Sequence, residues 1–224
     1  MPTINVNRQG TATGAVSSNF NTARTSNAAS VSDGDTSSSI HVQYFHSAGR
    51  GGGTKRFKRV FLHFDTSSIT GTLSAAHIDV RGGSSTDPDP NDTIMVKSTA
   101  FGGDGGTALA TTDFFSSIDY STAYSTELTS WSTGNNEYSL TAAALSDIKN
   151  NNDFTLAIID HDSDYTNSDQ TNISDISINL GVTITLDYTL AATGYSNTVK
   201  GVAAANIGKI NGVATANISK VNGI

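Results

Sequence analysis

Three aspartates on alternate positions, Asp160, Asp162 and Asp164, stand in the run DHDSD that follows an apolar stretch at 154–159. Carboxylates spaced in this way along a loop can wrap one hard cation, and Ca2+ takes about six to eight oxygen ligands. The three are therefore candidate Ca2+ ligands, with a plain acidic, solvated loop as the alternative. An EF-hand is excluded, because Tyr165 stands where that loop needs glycine. The histidines His41, His46, His63, His77 and His161 carry a weaker signal. Zinc needs about three or four converging ligands, at helical or alternate-strand spacing, and no two of these histidines are spaced so. His63 and His77 sit out of phase with the apolar residues around them and are expected to face solvent.

Arg50, Lys55, Arg56, Lys58 and Arg59 concentrate the basic charge of a chain whose formal net charge is −7. Such a patch can clamp an acidic partner surface, a lipid or a phosphate. Equally, Lys and Arg on an edge strand discourage unwanted sheet pairing. The glycines at 51–53 form no phosphate loop, since no Gly-Lys-Ser/Thr opens a helix after them. In an acidic protein, an inter-subunit role for Arg56, Lys58 and Arg59 is favoured over nucleic acid. The aromatic residues Phe114, Phe115, Tyr120, Tyr124 and Trp131 lie among Asp113, Asp119 and Glu127. Together they could line a sugar site, but core packing is the preferred reading. Glu127 and Glu137 do not suggest the paired carboxylates of a glycosidase.

The closing stretch, VKGVAAANIGKINGVATANISKVNGI, repeats with the 11-residue period of Gly201, Gly212 and Gly223. Val199, Val202, Ile207, Ile210, Val213, Ile218, Val221 and Ile224 recur in phase, as do Lys209 and Lys220. Each copy is too short to bury its Val and Ile alone. The tail must dock on the domain before it, on sister tails or on another protein, and these residues are its candidate partner-binding set. An odd period puts equivalent residues on opposite faces of one strand, so a single straight strand is excluded. A helical supercoil fits the period, yet the Asn-Gly pairs at 211–212 and 222–223 are hairpin signals. Short extended pieces joined by turns are expected.

Strands must position these groups. Strands are expected at 40–45, 55–64, 75–81, 93–98, 154–159 and 182–190, with apolar and polar residues alternating at 40–45, 75–81 and 182–190. Turns such as the one around Pro88 and Pro90 separate them. One short helix is expected at 140–150, with Ala144, Leu145 and Ile148 on one face. Strong helix formers are scarce, while Thr, Val, Ile, Tyr and Phe favour strands. The expected fold is all-β: an antiparallel, jelly-roll-like β-sandwich over 31–190, after an extended arm at 1–30 and before the repeat tail at 191–224. Cysteine is absent, so stability must come from packing or oligomerisation. No apolar run approaches membrane-spanning length. The first residues, MPTINVNRQG, lack the basic and apolar regions of a signal peptide. A polar, cysteine-free, leaderless chain is expected in a virion, which reaches the outside by lysis of the host; the mature form of a secreted protein is the alternative, against which Met1 weighs.

The segment RVFLHFDTSSITGTLSAAHIDVRG resembles the signature of the DNRLRE-type β-sandwich family. The matching residues are Phe61, Leu62, Phe64, Asp65, Ser67, Ser68, Ile69, Ser74, Ala75, Ile78 and Val80, and the late strand TITLDYTL also fits. Where that family has Leu-Arg, this chain has Leu62-His63. The resemblance implies a sandwich of the carbohydrate-binding-module kind. The KVNGV-type repeats, in turn, resemble tails of phage virion proteins. Both imply binding or architecture, and neither implies catalysis. The functional expectation is a non-enzymatic structural protein of a phage or phage-like virion, either a capsid decoration or a tail or fibre component. Its partners would be other virion proteins and further copies of itself, with no nucleic acid and no membrane span. The alternative is a secreted or surface carbohydrate-binding module with a host-surface glycan as ligand.

Overall fold

A computed structural model describes residues 2–34, 40–49, 53–85, 92–170, 174–178, 184–191, 209–210 and 213–214. The chain runs through β1 (Thr3–Asn5), β2 (Arg8–Gly14), α1 (Phe20–Thr25), β3 (Ala28–Asp33), β4 (Ile40–Ser47) and β5 (Thr54–Asp65). It continues with β6 (Leu73–Ser85), β7 (Thr93–Ser98), α2 (Asp113–Ser116), β8 (Ile118–Ala123), β9 (Asn135–Ser139) and α3 (Ala142–Asn151). Then come β10 (Asp153–Asp160), β11 (Ser174–Ile178), β12 (Thr185–Leu190), β13 (Lys209–Ile210) and β14 (Val213–Ala214). Two units result, Met1–Thr189 and Leu190–Ile224.

The first unit is an antiparallel β-sandwich. Its hydrogen-bonded strands run β1-β12-β6-β11-β4-β5-β10-β7-β8, with β9 beside β6, β2 beside β5 and β3 on the other edge of β2. The path folds over at β4, which pairs with β11 (Val42↔Ile176) and then with the start of β5 (Tyr44↔Phe57). Two layers face each other across this fold. Val60, Leu62 and Phe64 of β5, Met95 of β7 and Phe154, Leu156 and Ile158 of β10 supply one side of the core. Ile40 and Val42 of β4, Ile78 and Val80 of β6, and Ile184 and Leu186 supply the other. Each such side chain contributes about 1.5–3 kcal/mol when fully buried.

A second core lies on the outer face of the β5 layer. Phe57 and Phe61 of β5, Ile94 and Val96 of β7, and Ala157 and Ile159 of β10 pack there with Ala23, Phe101, Leu109 and Phe114. Both faces of β5 and β10 are therefore dry. A strand buried on both faces reads as a near-continuous apolar run, which is how VFLHF and FTLAII read.

Residues 1–30, expected as an arm, belong to this unit. β1 pairs with β12, and β2 pairs with β5 from Arg8↔His63 to Thr13↔Lys58. Small residues hide the strand character of β2. A Cβ on Gly10 would stand 2.8 Å from the Leu109 side chain, and one on Gly14 would stand 2.6 Å from the Phe114 ring. Gly10, Ala12 and Gly14 share the face that receives those two side chains, so apolar bulk is excluded there.

The helix expected at 140–150 forms as α3. The Thr141 side chain accepts from the Ala144 N–H, and Asn152, at φ 57°, closes the C-terminus in the left-handed region. Thr66 ties β5 to it: its N–H donates to the Asn152 carbonyl at 2.7 Å and its hydroxyl to the Ile148 carbonyl at 3.1 Å. Asp65 accepts from the Ser67 N–H at 3.0 Å, an Asx turn that starts the segment Asp65-Thr66-Ser67. These contacts explain the residue types of that segment.

In the second unit, β13 and β14 pair antiparallel, Lys209↔Ala214 and Ile210↔Val213, around positions 211–212. Lys209 and Val213 are exposed. Extended pieces at this place in the repeat agree with the Asn-Gly signal. Val199, Val202, Ile207, Ile218, Lys220, Val221 and Ile224 lie outside the described residues, as do Arg50, Pro88 and Pro90. Among the described residues, no helix is long and apolar enough to cross a membrane.

Candidate functional site

The acidic run leaves β10 and winds at once through a π-helical turn, His161–Tyr165. Asp160 caps the turn, accepting from the Ser163 N–H at 2.6 Å and the Asp164 N–H at 3.3 Å. Asp164 points into the second core. Its oxygens receive Arg59 Nε at 2.6 Å and Nη2 at 2.8 Å, with Arg24 Nε at 3.2 Å and the Tyr120 hydroxyl at 3.1 Å. Asp162 is exposed. The Ca2+ set of Asp160, Asp162 and Asp164 is thereby corrected: the three carboxylates do not share one point. Alternate residues share a face in extended chain but not in a helical turn.

Arg59 is corrected in the same way. It is 0% exposed, lies 3.9 Å over the Phe114 ring, and also donates to the carbonyls of Phe114 and Arg24. β5 is no edge strand, since β2 flanks one side and β4 and β10 the other. Alternation sends Lys55 and Arg59 to one face and Arg56 and Lys58 to the other. Lys55 is buried with its Nζ 3.1 Å from Asp169. Arg56 donates to Gln43 at 3.0 Å and lies over Phe45, and Lys58 is half-buried. The aromatic residues follow the core reading: Phe114 and Tyr124 are buried, while Phe115, Tyr120 and Trp131 pack against the two cores. Burial, and then the charge of Asp164, push the Tyr120 phenol far above its ordinary value, so it stays a donor.

His63 does not face solvent; it is 1% exposed. The Thr155 hydroxyl donates to the Gly103 carbonyl at 3.0 Å, so it must accept from His63 Nδ1 at 2.8 Å. That places the ring proton on Nδ1. Burial holds the imidazole below its ordinary value, against the opposing pull of Asp153. The unfolded chain therefore binds this proton near pH 6.5, before the folded one does. Stability from this group is present above about pH 6.5 and is lost as pH falls through that value. His63→Asn should flatten the fall of melting temperature between about pH 7 and pH 5 relative to the parent. Parallel curves would contradict it.

Tertiary contacts also assemble two groups of imidazole and carboxylates. On β6, His77 Nε2 stands 3.7 Å from Asp79, 3.9 Å from Glu137 of β9 and 3.7 Å from Asp187 of β12. These separations are too long for hydrogen bonds. Burial raises the Asp79 carboxyl above the usual carboxylate range. In the second group, His161 Nδ1 is 2.9 Å from Glu127 and 3.1 Å from Asp162, and its ring stacks on Tyr165. Asp92 joins this group. Burial, reinforced by a hydrogen bond with Glu127, pushes its carboxyl up to about 7. Asp92 belonged to no sequence motif, because its partners lie 35 and 69 residues further along the chain, at Glu127 and His161. The sequence matches no protein-family model and no curated protein, and its own residues carry the functional argument.

Proposed function

We propose that this chain is a non-enzymatic structural protein of a phage or phage-like particle, a capsid decoration or a tail or fibre component, attached through its C-terminal repeats. The supporting observation is the division of the chain. Met1–Thr189 holds both hydrophobic cores, and Leu190–Ile224 holds the repeats as a separate unit. Val213, on the repeat hairpin, is 49% exposed. Each Val or Ile contributes about 1.5–3 kcal/mol if buried, while ordering each backbone residue costs about 1–2 kcal/mol. A partner surface that supplies the other half of each contact tips this balance, and copies docking in register add to one another. Phe114 and Tyr124, buried in the cores, offer no exposed face to a sugar, which weighs for this reading over the carbohydrate-binding alternative.

The test is deletion of residues 190–224. The shortened chain should melt cooperatively, within a few degrees of the parent, and lose the oligomer or particle association of the full chain in light scattering and co-sedimentation. Unfolding of the shortened chain, or undiminished association, would refute the attachment role. Glycan-array binding by the shortened monomer would favour the carbohydrate-binding alternative.

A further inference from the structure

Asp92, Glu127, His161 and Asp162 come from three distant stretches of chain and meet where β7 begins and β10 ends. Main-chain hydrogen bonds fix those stretches to each other. Thr93 and Leu128 exchange both of theirs, at 3.1 and 2.8 Å, and the His161 N–H donates to the Asp92 carbonyl at 2.9 Å. The side chains thus project from tied strand ends.

Their spacing is that of a coordination shell. Ligand atoms of Glu127, His161 and Asp162 all lie within 4.8 Å of one another, and the nitrogen–oxygen separations are 2.9 and 3.1 Å. Around an ion with bonds of about 2.0–2.2 Å, neighbouring donors stand roughly 2.9–3.5 Å apart. Asp92 lies against Glu127 and adds one unsatisfied oxygen to the group. Its Oδ1 is buried and accepts no hydrogen bond, a state that costs free energy unless a cation or donor meets it. Carboxylates surround one imidazole in this group, so the balance of charge favours a cation.

The geometry points to a divalent transition-metal site formed by His161, Glu127 and Asp162, with Asp92 beside Glu127. One imidazole nitrogen among carboxylate oxygens suits Zn2+ or Mn2+ better than Ca2+, which takes oxygen ligands. Asp162 is exposed, so solvent completes the shell from that side. Of the aspartates in the DHDSD run only Asp162 takes part, because Asp160 caps the turn and Asp164 neutralises Arg59. A bound ion would clasp the start of β7, the 125–128 segment and the 161–165 turn. The site does not depend on the attachment role of the repeats.

Full-length protein stripped with chelator is to be titrated with ZnCl2, MnCl2 and CaCl2 by calorimetry, with melting followed in parallel. One Zn2+ or Mn2+ per chain should bind and raise the melting temperature. Affinity should fall by at least about tenfold in Glu127→Gln and in His161→Asn, and His77→Asn should leave it unchanged. Asp162→Asn, at an exposed position, gives a further variant whose fold is not at risk. No saturable binding, undiminished binding in Glu127→Gln and His161→Asn, or preference for Ca2+ over both other ions would overturn the assignment. Loss of binding in His77→Asn alone would overturn it too, by moving the site to β6.

Discussion

Asp164→Asn should destabilise the protein by about 3–5 kcal/mol, the cost of leaving a buried charge without its partner. Two guanidinium groups depend on that carboxylate. Arg59 is fully buried and takes both oxygens, and Arg24 is nearly as buried. An asparagine could keep part of the hydrogen bonding but none of the neutralising charge. A domain stable by about 5–15 kcal/mol cannot absorb that loss without a large fall in its urea midpoint. High salt should not rescue the variant, because screening hardly reaches a buried pair. Removing Arg59 as well, in Arg59→Met with Asp164→Leu, should not restore stability, because Arg24 would stay buried with no carboxylate beside it. A single-variant loss below about 1 kcal/mol would mean that the pair behaves like a surface ion pair.

Deletion of residues 2–33 should abolish cooperative folding. It removes β2, and with it the hydrogen-bonding partner of β5 from Lys58 to His63. It also removes Ala12, Ala23 and Ala28 from the second core, and Arg24 from beside Asp164. Leu109 and Phe114 would lose the small-residue face that receives them. The unpaired edge of β5 would be a template for aggregation. Loss of the near-ultraviolet dichroism signal and rapid proteolysis are the expected readings. A sharp melt from this shortened chain would show that residues 1–30 are a dispensable arm. The opposite outcomes expected for deletions at the two ends follow from one difference: β2 lies within a core-forming unit, whereas the repeats form a unit of their own.

Local pattern alone located the structure wherever one element's own residues decide it. The strand at 93–98 forms as Thr93–Ser98, the helix at 140–150 forms as Ala142–Asn151, and the apolar run at 154–159 lies within Asp153–Asp160. The all-β class was legible for the same reason, since period-two burial is a property of single strands. β2 was not, because its face is built from Gly10, Ala12 and Gly14, and small residues carry no apolar signal.

Residue types also marked the chemistry without locating it. Asp164 and Arg59 were singled out as ligand and partner contact, yet the fold points them at each other across 105 residues of chain. His63, out of phase with the inner core, is in phase with the second core, whose existence no spacing announces. Asp92, Glu127 and His161 meet only because β7 lies between the 125–128 segment and β10. Periodicity reports which side chains share a face of one element. What covers that face, water or a second layer of protein, depends on contacts between distant segments, and that covering decides whether a charge is solvated, paired or free to hold an ion.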